Sequence, residues 1–406
     1  MRLSVGILGA VAALGLSVAP ALAQKSGGTL KMYIADNPPS TSIHEEATTS
    51  TVVPFMGLYN NLVMFDQQIP QNSLETIRPD LAESWSWSGD GKKLTFKLVA
   101  NAKWHDGKPF TSADVKCTWD MLAGKSETHK LRKNPRTSWY WNLQDVTTNG
   151  DREVTFHLGQ PQPSLLILLA SGYSPVYSCH VPTAQMRTKP IGTGPFKLGE
   201  FKQKEIVKLV RNPDYFKKGK PYLDGIDMPI VPARGTAMLG FVSGRYDMTA
   251  PYAVTIPLLK DIKAQASSAI CEVAPMNNNT NLIVNSAAPP FDNADIRRAM
   301  LLTIDRKSFI DILAQGYGEA GGVMEPAPGG VWGMPKEMFD KVQGYGPDVA
   351  KNRAEAQAIM KKAGYGPDNR LKLKVSTRNH LLYRDPAVIL IDQLKEIYID
   401  GELDLV

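Results

Sequence analysis

The chain has 406 residues, of which 43% are hydrophobic and 21% charged, with a formal net charge of +6. Those proportions are ordinary for a globular protein and exclude a disordered or low-complexity class, and the length calls for two or more domains. The mild basic excess does not single out an acidic partner.

At the N-terminus, Arg2 is the only charge before Lys25, Leu3 to Val18 form an apolar core, and Ala21-Leu22-Ala23 is an A-x-A site. This pattern predicts a signal peptide over 1–23, cleaved before Gln24, and export to the periplasm. The apolar run is shorter than the roughly 20 residues that a spanning helix needs. No cysteine follows Ala23, so no lipid anchor is expected.

Leu30 to Ile34 alternate as a first strand, and 35–50, rich in Pro, Ser and Thr, read as a loop. His44-Glu45-Glu46 has no second histidine at helical spacing, so it is not a metalloprotease box. Residues 55–65 read as an amphipathic helix or helix–strand edge, and 81–98 as a hairpin around Ser88 to Gly91.

The stretch 94–115 carries the most structure. Leu94, Phe96 and Leu98 alternate with Thr95 and Lys97, and Asp106-Gly107 makes a tight turn. Thr111 or Ser112 caps a helix whose Val115, Trp119 and Leu122 share a face, with Gly124 as the stop. His105 and Asp106 invite a catalytic reading, but turn geometry and core packing account for them.

In 129–141, Lys130, Arg132, Lys133 and Arg136 precede Trp139, Tyr140 and Trp141. A basic patch beside aromatics suits single-stranded nucleic acid. An exported protein rarely meets nucleic acid, so a cleft wall or core packing is expected instead, and no nucleic-acid partner.

Further strands are expected at 152–158, 206–210 and 226–231, with helices at 165–169 and at 234–248, the last ending at Gly244. Gly192, Gly194 and Pro195 impose a backbone that approaches another segment closely. Asn277, Asn278, Asn279 and Asn281 precede an apolar strand, Leu282 to Val284. From Asp292 the pattern is helical, with two helices broken near Asp305-Arg306 and a third over 348–363. Leu371, Leu373 and Val375 form a strand, Asp385-Pro386 cap a helix running to Tyr398, and a last strand starts near Leu403.

Of the three cysteines, Cys179 and Cys271 lie in polar, irregular stretches, whereas Cys117 lies in an amphipathic helix. A Cys179–Cys271 disulfide and a free, partly buried Cys117 are therefore expected. The six histidines show no ligand spacing, so no metal site and no cofactor is expected. No G-x-S-x-G, H-E-x-x-H or Cys–His pair supports a secreted hydrolase, the reading from another class.

The stretch 94–115 resembles the signature of the family 5 extracellular solute-binding proteins, the peptide- and nickel-binding receptors of ABC importers. RPDLAESWSWSGDGKKLTFKL (78–98), KPIGTGPFKL (189–198), RNPDYFKKGKPYLDGI (211–226) and PPFDNADIRRAMLLTIDRKSFI (289–310) look like the family's landmarks in the family's order. The resemblance implies an α/β, two-lobed periplasmic-binding-protein fold of type II in its large three-subdomain variant. Residues 24–57 and 190–280 would form the main part of lobe I, 58–189 an inserted small subdomain, and 281–406 lobe II. Members of the family continue well beyond the last residue here, which implies an incomplete lobe II.

The function so implied is capture of a peptide-like solute by hinge closure and delivery to a membrane ABC permease, by a monomer that is not an enzyme. A nickel chelate, an opine or a sugar are the rival solutes. Expected ligand contacts are Asn37 after the first strand, Trp139, Tyr140, Trp141 and Tyr252, and Met276, Asn279 and Asn281 before the apolar strand. Arg378 and Tyr383 join them, because their loop lies at the carboxyl end of a strand, where open sheets bind ligands.

Overall fold

The computed structural model describes residues 25–46, 48–250, 253–273, 280–322, 333–339 and 341–406. The expected signal peptide and the expected contacts Tyr252, Met276 and Asn279 lie outside the described residues.

Strand β1 (Thr29–Lys31) is followed by α1 (Thr49–Phe55), and β2 (Val63–Phe65) pairs antiparallel with β3 (Ile77–Pro79). The hairpin of β4 (Ala82–Trp87) and β5 (Lys93–Leu98) comes next, then α2 (Ser112–Leu122), β6 (Leu143–Thr148), β7 (Glu153–Leu158) and α3 (Ser164–Ala170). β4 to β7 form an antiparallel sheet in the order β4-β5-β7-β6. The period-2 pattern works as expected: Leu94, Phe96 and Leu98 are buried on one face, and α2 lays Val115, Trp119 and Leu122 over the same core.

Thr111 and Asp114 form a reciprocal capping box at the start of α2. Asp114 does more than cap: it accepts from Trp104 Nε1 at 3.2 Å and from the Cys179 backbone N–H at 3.0 Å. The second of these bonds draws the segment before Val181 across the helix, and Thr118 Oγ1 adds a bond to the Tyr177 carbonyl at 3.2 Å. Cys117 stands beside Thr118 on that helix, and the disulfide is Cys117–Cys179, with 5.9 Å between Cα atoms. The expected Cys179–Cys271 pairing is thus corrected. Cys271 is a partly buried free thiol in a separate cluster with Tyr33, Met238 and Tyr246.

The chain then builds a second, mixed sheet from β8 (Phe196–Lys202), β9 (Ile206–Arg211) and β10 (Gly225–Pro229), ordered β1-β10-β9-β8. The two glycines before β8 lie on the backbone of Leu58. A Cβ at Gly192 would sit 1.8 Å from the Leu58 carbonyl oxygen, and one at Gly194 2.4 Å from its carbonyl carbon. Gly192 also accepts the His105 backbone N–H at 2.8 Å, while His105 Nδ1 accepts the Gly192 N–H at 3.2 Å. His105 is therefore a clamp between two landmarks, and burial pushes its pKa down to about 4.

Helices α4 (Arg234–Val242) and α5 (Ile256–Gln265) complete this part. The remainder comprises α6 (Ala294–Thr303), α7 (Arg306–Ala314), α8 (Lys336–Phe339), α9 (Val349–Lys362), β11 (Leu371–Thr377), α10 (Leu381–Lys395) and β12 (Ile399–Leu405), and all of these but α8 build its own core. β11 and β12 are parallel and α10 is their crossover, a βαβ unit. Three expectations are corrected. Leu282 to Val284 are irregular rather than a strand, with Ile283 88% exposed, because no described strand runs alongside to pair with them. His380, not Asp385, caps α10: its backbone is extended and its Nδ1 accepts the Leu382 N–H at 3.3 Å, so Pro386 falls inside the helix. β12 begins at Ile399, four residues ahead of the expected start.

Candidate functional site

The two bodies meet beyond the carboxyl ends of β1 and β10. Ile34 bridges Ile230 in parallel and the Val231 N–H donates to the Ile34 carbonyl at 2.8 Å, so the chain leaves both strands side by side. These exits carry Ala35 and Asp36 on one side and Val231, Pro232 and Arg234 on the other. Facing them is the loop that joins β11 to α10. A cavity of about 130 Å³ lies between, lined from the first body by Tyr33, Ala35, Val231, Pro232 and Arg234 and from the second by Asn379 and His380. Across its rim Arg378 Nη2 meets Asp36 Oδ1 at 3.1 Å. Both side chains are about half exposed, so this pair contributes under about 1 kcal/mol and is easily broken.

Tyr33 is buried against Tyr246, with ring centroids 5.3 Å apart, and burial raises its pKa to about 12, so the phenol stays protonated. Arg234 begins α4 at the cavity wall. Its Nε and Nη2 are shut from solvent and have no hydrogen-bond partner among the described residues. Burial lowers its pKa, against the pull of the Asp385 carboxylate, but a guanidinium remains cationic. A second cavity beside the disulfide has only about 10 Å³, room for no more than a water, so it cannot take a solute. His129 stands within 4.8 Å of both disulfide sulfurs, a convergence that the sequence spacing hides, but the bonded sulfurs leave no thiolate there.

The expected contacts separate into groups. Arg378 reaches the rim, where it engages Asp36 and packs over the Tyr383 ring at 5.5 Å. Asn37 follows Asp36, but its Oδ1 accepts the Lys204 N–H at 2.6 Å and is occupied. Asn281 is exposed in the irregular stretch.

The three aromatics at 139–141 do not line this cavity. Tyr140 is buried edge-on to Trp119, and Trp139 and Tyr173 hold the Arg136 guanidinium between their faces at 5.5 and 4.9 Å. Arg136 in turn donates to the Ile43 and Glu46 carbonyls. The basic and aromatic run is a clamp on residues 43–46, which are buried rather than a surface loop: Glu45 pairs with Arg187 at 2.6 Å and Glu46 with Arg132 at 3.1 Å. Trp141 is 65% exposed.

Tyr33, Arg234, Asn379 and His380 were not expected at the site. Asn379 and His380 sit between Arg378 and Tyr383, the two residues picked from the same loop. Arg234 looks from the sequence like an ordinary helix start.

The profile of the bacterial extracellular solute-binding proteins, family 5 Middle, matches residues 76–405. The chain belongs to this family. The oligopeptide-binding protein AppA of Bacillus subtilis is 27% identical over 410 residues, covering 94% of this chain and 70% of its own length. A putative ABC transporter peptide-binding protein of Brucella ovis is 30% identical over 66% of this chain and 48% of its own. The crystal structure of Haemophilus influenzae OppA with RPPGFSPFR superposes with a TM-score of 0.79 at 20% identity, covering 94% of this chain and 76% of that one. The chain thus spans about half to seven tenths of the length of these curated relatives, and its fold is the two-lobed, type II binding-protein fold.

Proposed function

We propose that this family 5 protein captures a peptide-like solute between its lobes and presents it to a membrane ABC permease. The observation that carries the reading is the cavity lined by both bodies, at the exit of β1 and β10 and opposite the β11–α10 loop. A solute there touches both lobes and stabilises the arrangement in which they meet, which is how binding shifts an open–closed equilibrium. The weak, half-exposed Asp36–Arg378 pair suits that motion, since it forms only when the lobes approach and does not lock them. The peptide-binding relatives support peptide over a nickel chelate, an opine or a sugar.

The division of the chain proposed here keeps 24–57 and 190–280 as the main part of lobe I, 58–189 as its inserted subdomain and 281–406 as lobe II. The separate core spanning Leu62 to Val176 and the one spanning Val284 to Leu403 support it. Export through cleavage before Gln24, and action as a binder without turnover, belong to the same reading. The test is a thermal-shift panel with a pool of short peptides, nickel–histidine, opines and sugars. A rise in Tm with the peptide pool alone is expected; a rise with one of the others, or turnover of any of them, overturns the peptide reading.

A further inference from the structure

The surroundings of the Cys117–Cys179 bond are those of a metal site. A ring nitrogen of His129 and the two sulfurs all lie within 4.8 Å of one another, and the three residues are partly exposed. The imidazole is already held as a metal-bound one is, with Nε2 2.8 Å from the Cys179 carbonyl. A carbonyl only accepts, so Nε2 carries the proton and Nδ1 keeps its lone pair. The Thr128 hydroxyl that donates to Nδ1 at 2.9 Å is exposed and has water as another partner. The wall of the small cavity beside the bond also includes two methionines, Met121 and Met186. Ser178 lines it too, only 4% exposed, and its hydroxyl has no hydrogen-bond partner among the described residues. A thiolate accepts far more strongly than a disulfide sulfur, so the opened bond offers this hydroxyl the acceptor that the closed one withholds.

Opening the bond takes two electrons and two protons. A dithiol reductant attacks one sulfur, leaves as its own disulfide, and returns both cysteines as thiols. A metal ion then takes the two thiolates and releases two protons. The donors select the ion. Two thiolates and an imidazole within a wall of thioethers suit copper(I), whereas zinc takes cysteine, histidine and carboxylate ligands. No carboxylate lines the cavity, which leaves calcium and magnesium without their oxygen ligands. A volume of about 10 Å³ has no space for a hydrated ion, so the ion takes its ligands from the protein.

We infer that the Cys117–Cys179 bond closes a soft-metal site: in the dithiol form Cys117, Cys179 and His129 bind one copper(I), and in the disulfide form they bind none. The site shares no residue with the interlobe cavity, so it stands or falls apart from the solute reading. In the test, the full chain is reduced with a phosphine under argon, desalted, and offered copper(I) as its bicinchoninate complex. Reduced wild type is expected to withdraw one copper per chain and unreduced protein none. Cys117→Ser should abolish uptake, His129→Gln should weaken it about tenfold or more, and Cys271→Ser should leave it unchanged. X-ray absorption at the copper edge should show sulfur neighbours and one nitrogen. Copper(I) should also raise the urea midpoint of the reduced protein, because only the folded chain brings the three ligands together. No uptake by reduced wild type overturns the inference, as does uptake that survives in Cys117→Ser or disappears in Cys271→Ser. A urea midpoint unmoved by bound copper places the metal on unfolded chain and overturns the built site, and zinc held as tightly as copper(I) overturns the choice of ion. Should Cys117→Ser not fold, reduced against unreduced wild type and His129→Gln still decide.

Discussion

Breaking the Cys117–Cys179 bond is the perturbation whose size follows most directly from the fold. The two cysteines are 62 residues apart in sequence. In the chain-entropy treatment, closing a loop of that length removes roughly 14 cal/mol/K from the unfolded chain, about 4 kcal/mol at 25 °C. With a urea slope of about 2 kcal/mol/M, the midpoint should drop by about 2 M on reduction. Trp104 and Trp119 are buried in the core beside the bond, so tryptophan fluorescence reports the transition. Cys117→Ser should reproduce the loss and Cys271→Ser should not, since Cys271 is unpaired. Thiol titration of the native protein should find one reactive group. A Cys179–Cys271 peptide in a non-reducing digest, or a midpoint unmoved by verified reduction, would refute the reasoning.

Three further outcomes follow. His44 is fully buried, burial and the Arg136 charge hold its pKa down at about 3, and its Nε2 donates to the Pro175 carbonyl. The unfolded chain therefore takes up a proton near pH 6.5 that the native state refuses. Stability from this group is complete above that pH and is lost on acidification, about 2 kcal/mol between pH 7 and 5; urea midpoints should show this, and His44→Gln should flatten the dependence. Gly194→Ala drives a methyl into the Leu58 backbone and should destabilise by about 3 kcal/mol or more, read as a fall in Tm; an unchanged Tm would mean that the two segments part readily. Asp80 is buried and takes bonds from Asn60, the Asn61 N–H and Lys217. Asp80→Ala leaves Lys217 without its counter-charge and should cost about 3–5 kcal/mol in denaturant titration, whereas a loss below 1 kcal/mol would show that the network is dispensable.

The elements that could be read from the sequence are those in which one local rule decides. The β4–β5 hairpin, the Thr111-capped α2 with Gly124 behind it, and the Gly192–Gly194 approach all follow from alternation, capping or a missing Cβ. Where two segments compete, local rules fail. β6 escaped notice because a bulge between Leu143 and Asp145 breaks its alternation. The cap of α10 went to the wrong residue because Asp385-Pro386 obeys the rule for a helix start, yet His380 satisfies the first free N–H earlier. The disulfide was misassigned because helix amphipathicity says which residues face a core, not which loop crosses over them.

The site itself was half legible. The β11–α10 loop could be found from topology, because ligands lie at the carboxyl ends of strands. Arg234 could not, since it reads as an ordinary helix start and only the fold brings it to the cavity wall. In the aromatic run 139–141, Trp139 is taken up by Arg136 and Tyr140 by the core, partners that lie too far away in sequence to be read from the run itself, while Trp141 stays exposed.

The most direct test of solute capture is native mass spectrometry of the protein purified from its native source without denaturation. The account predicts a population carrying small noncovalent adducts that fragment as peptides and that exchange for added peptide. Bare protein throughout, before and after incubation with a peptide pool, would contradict it.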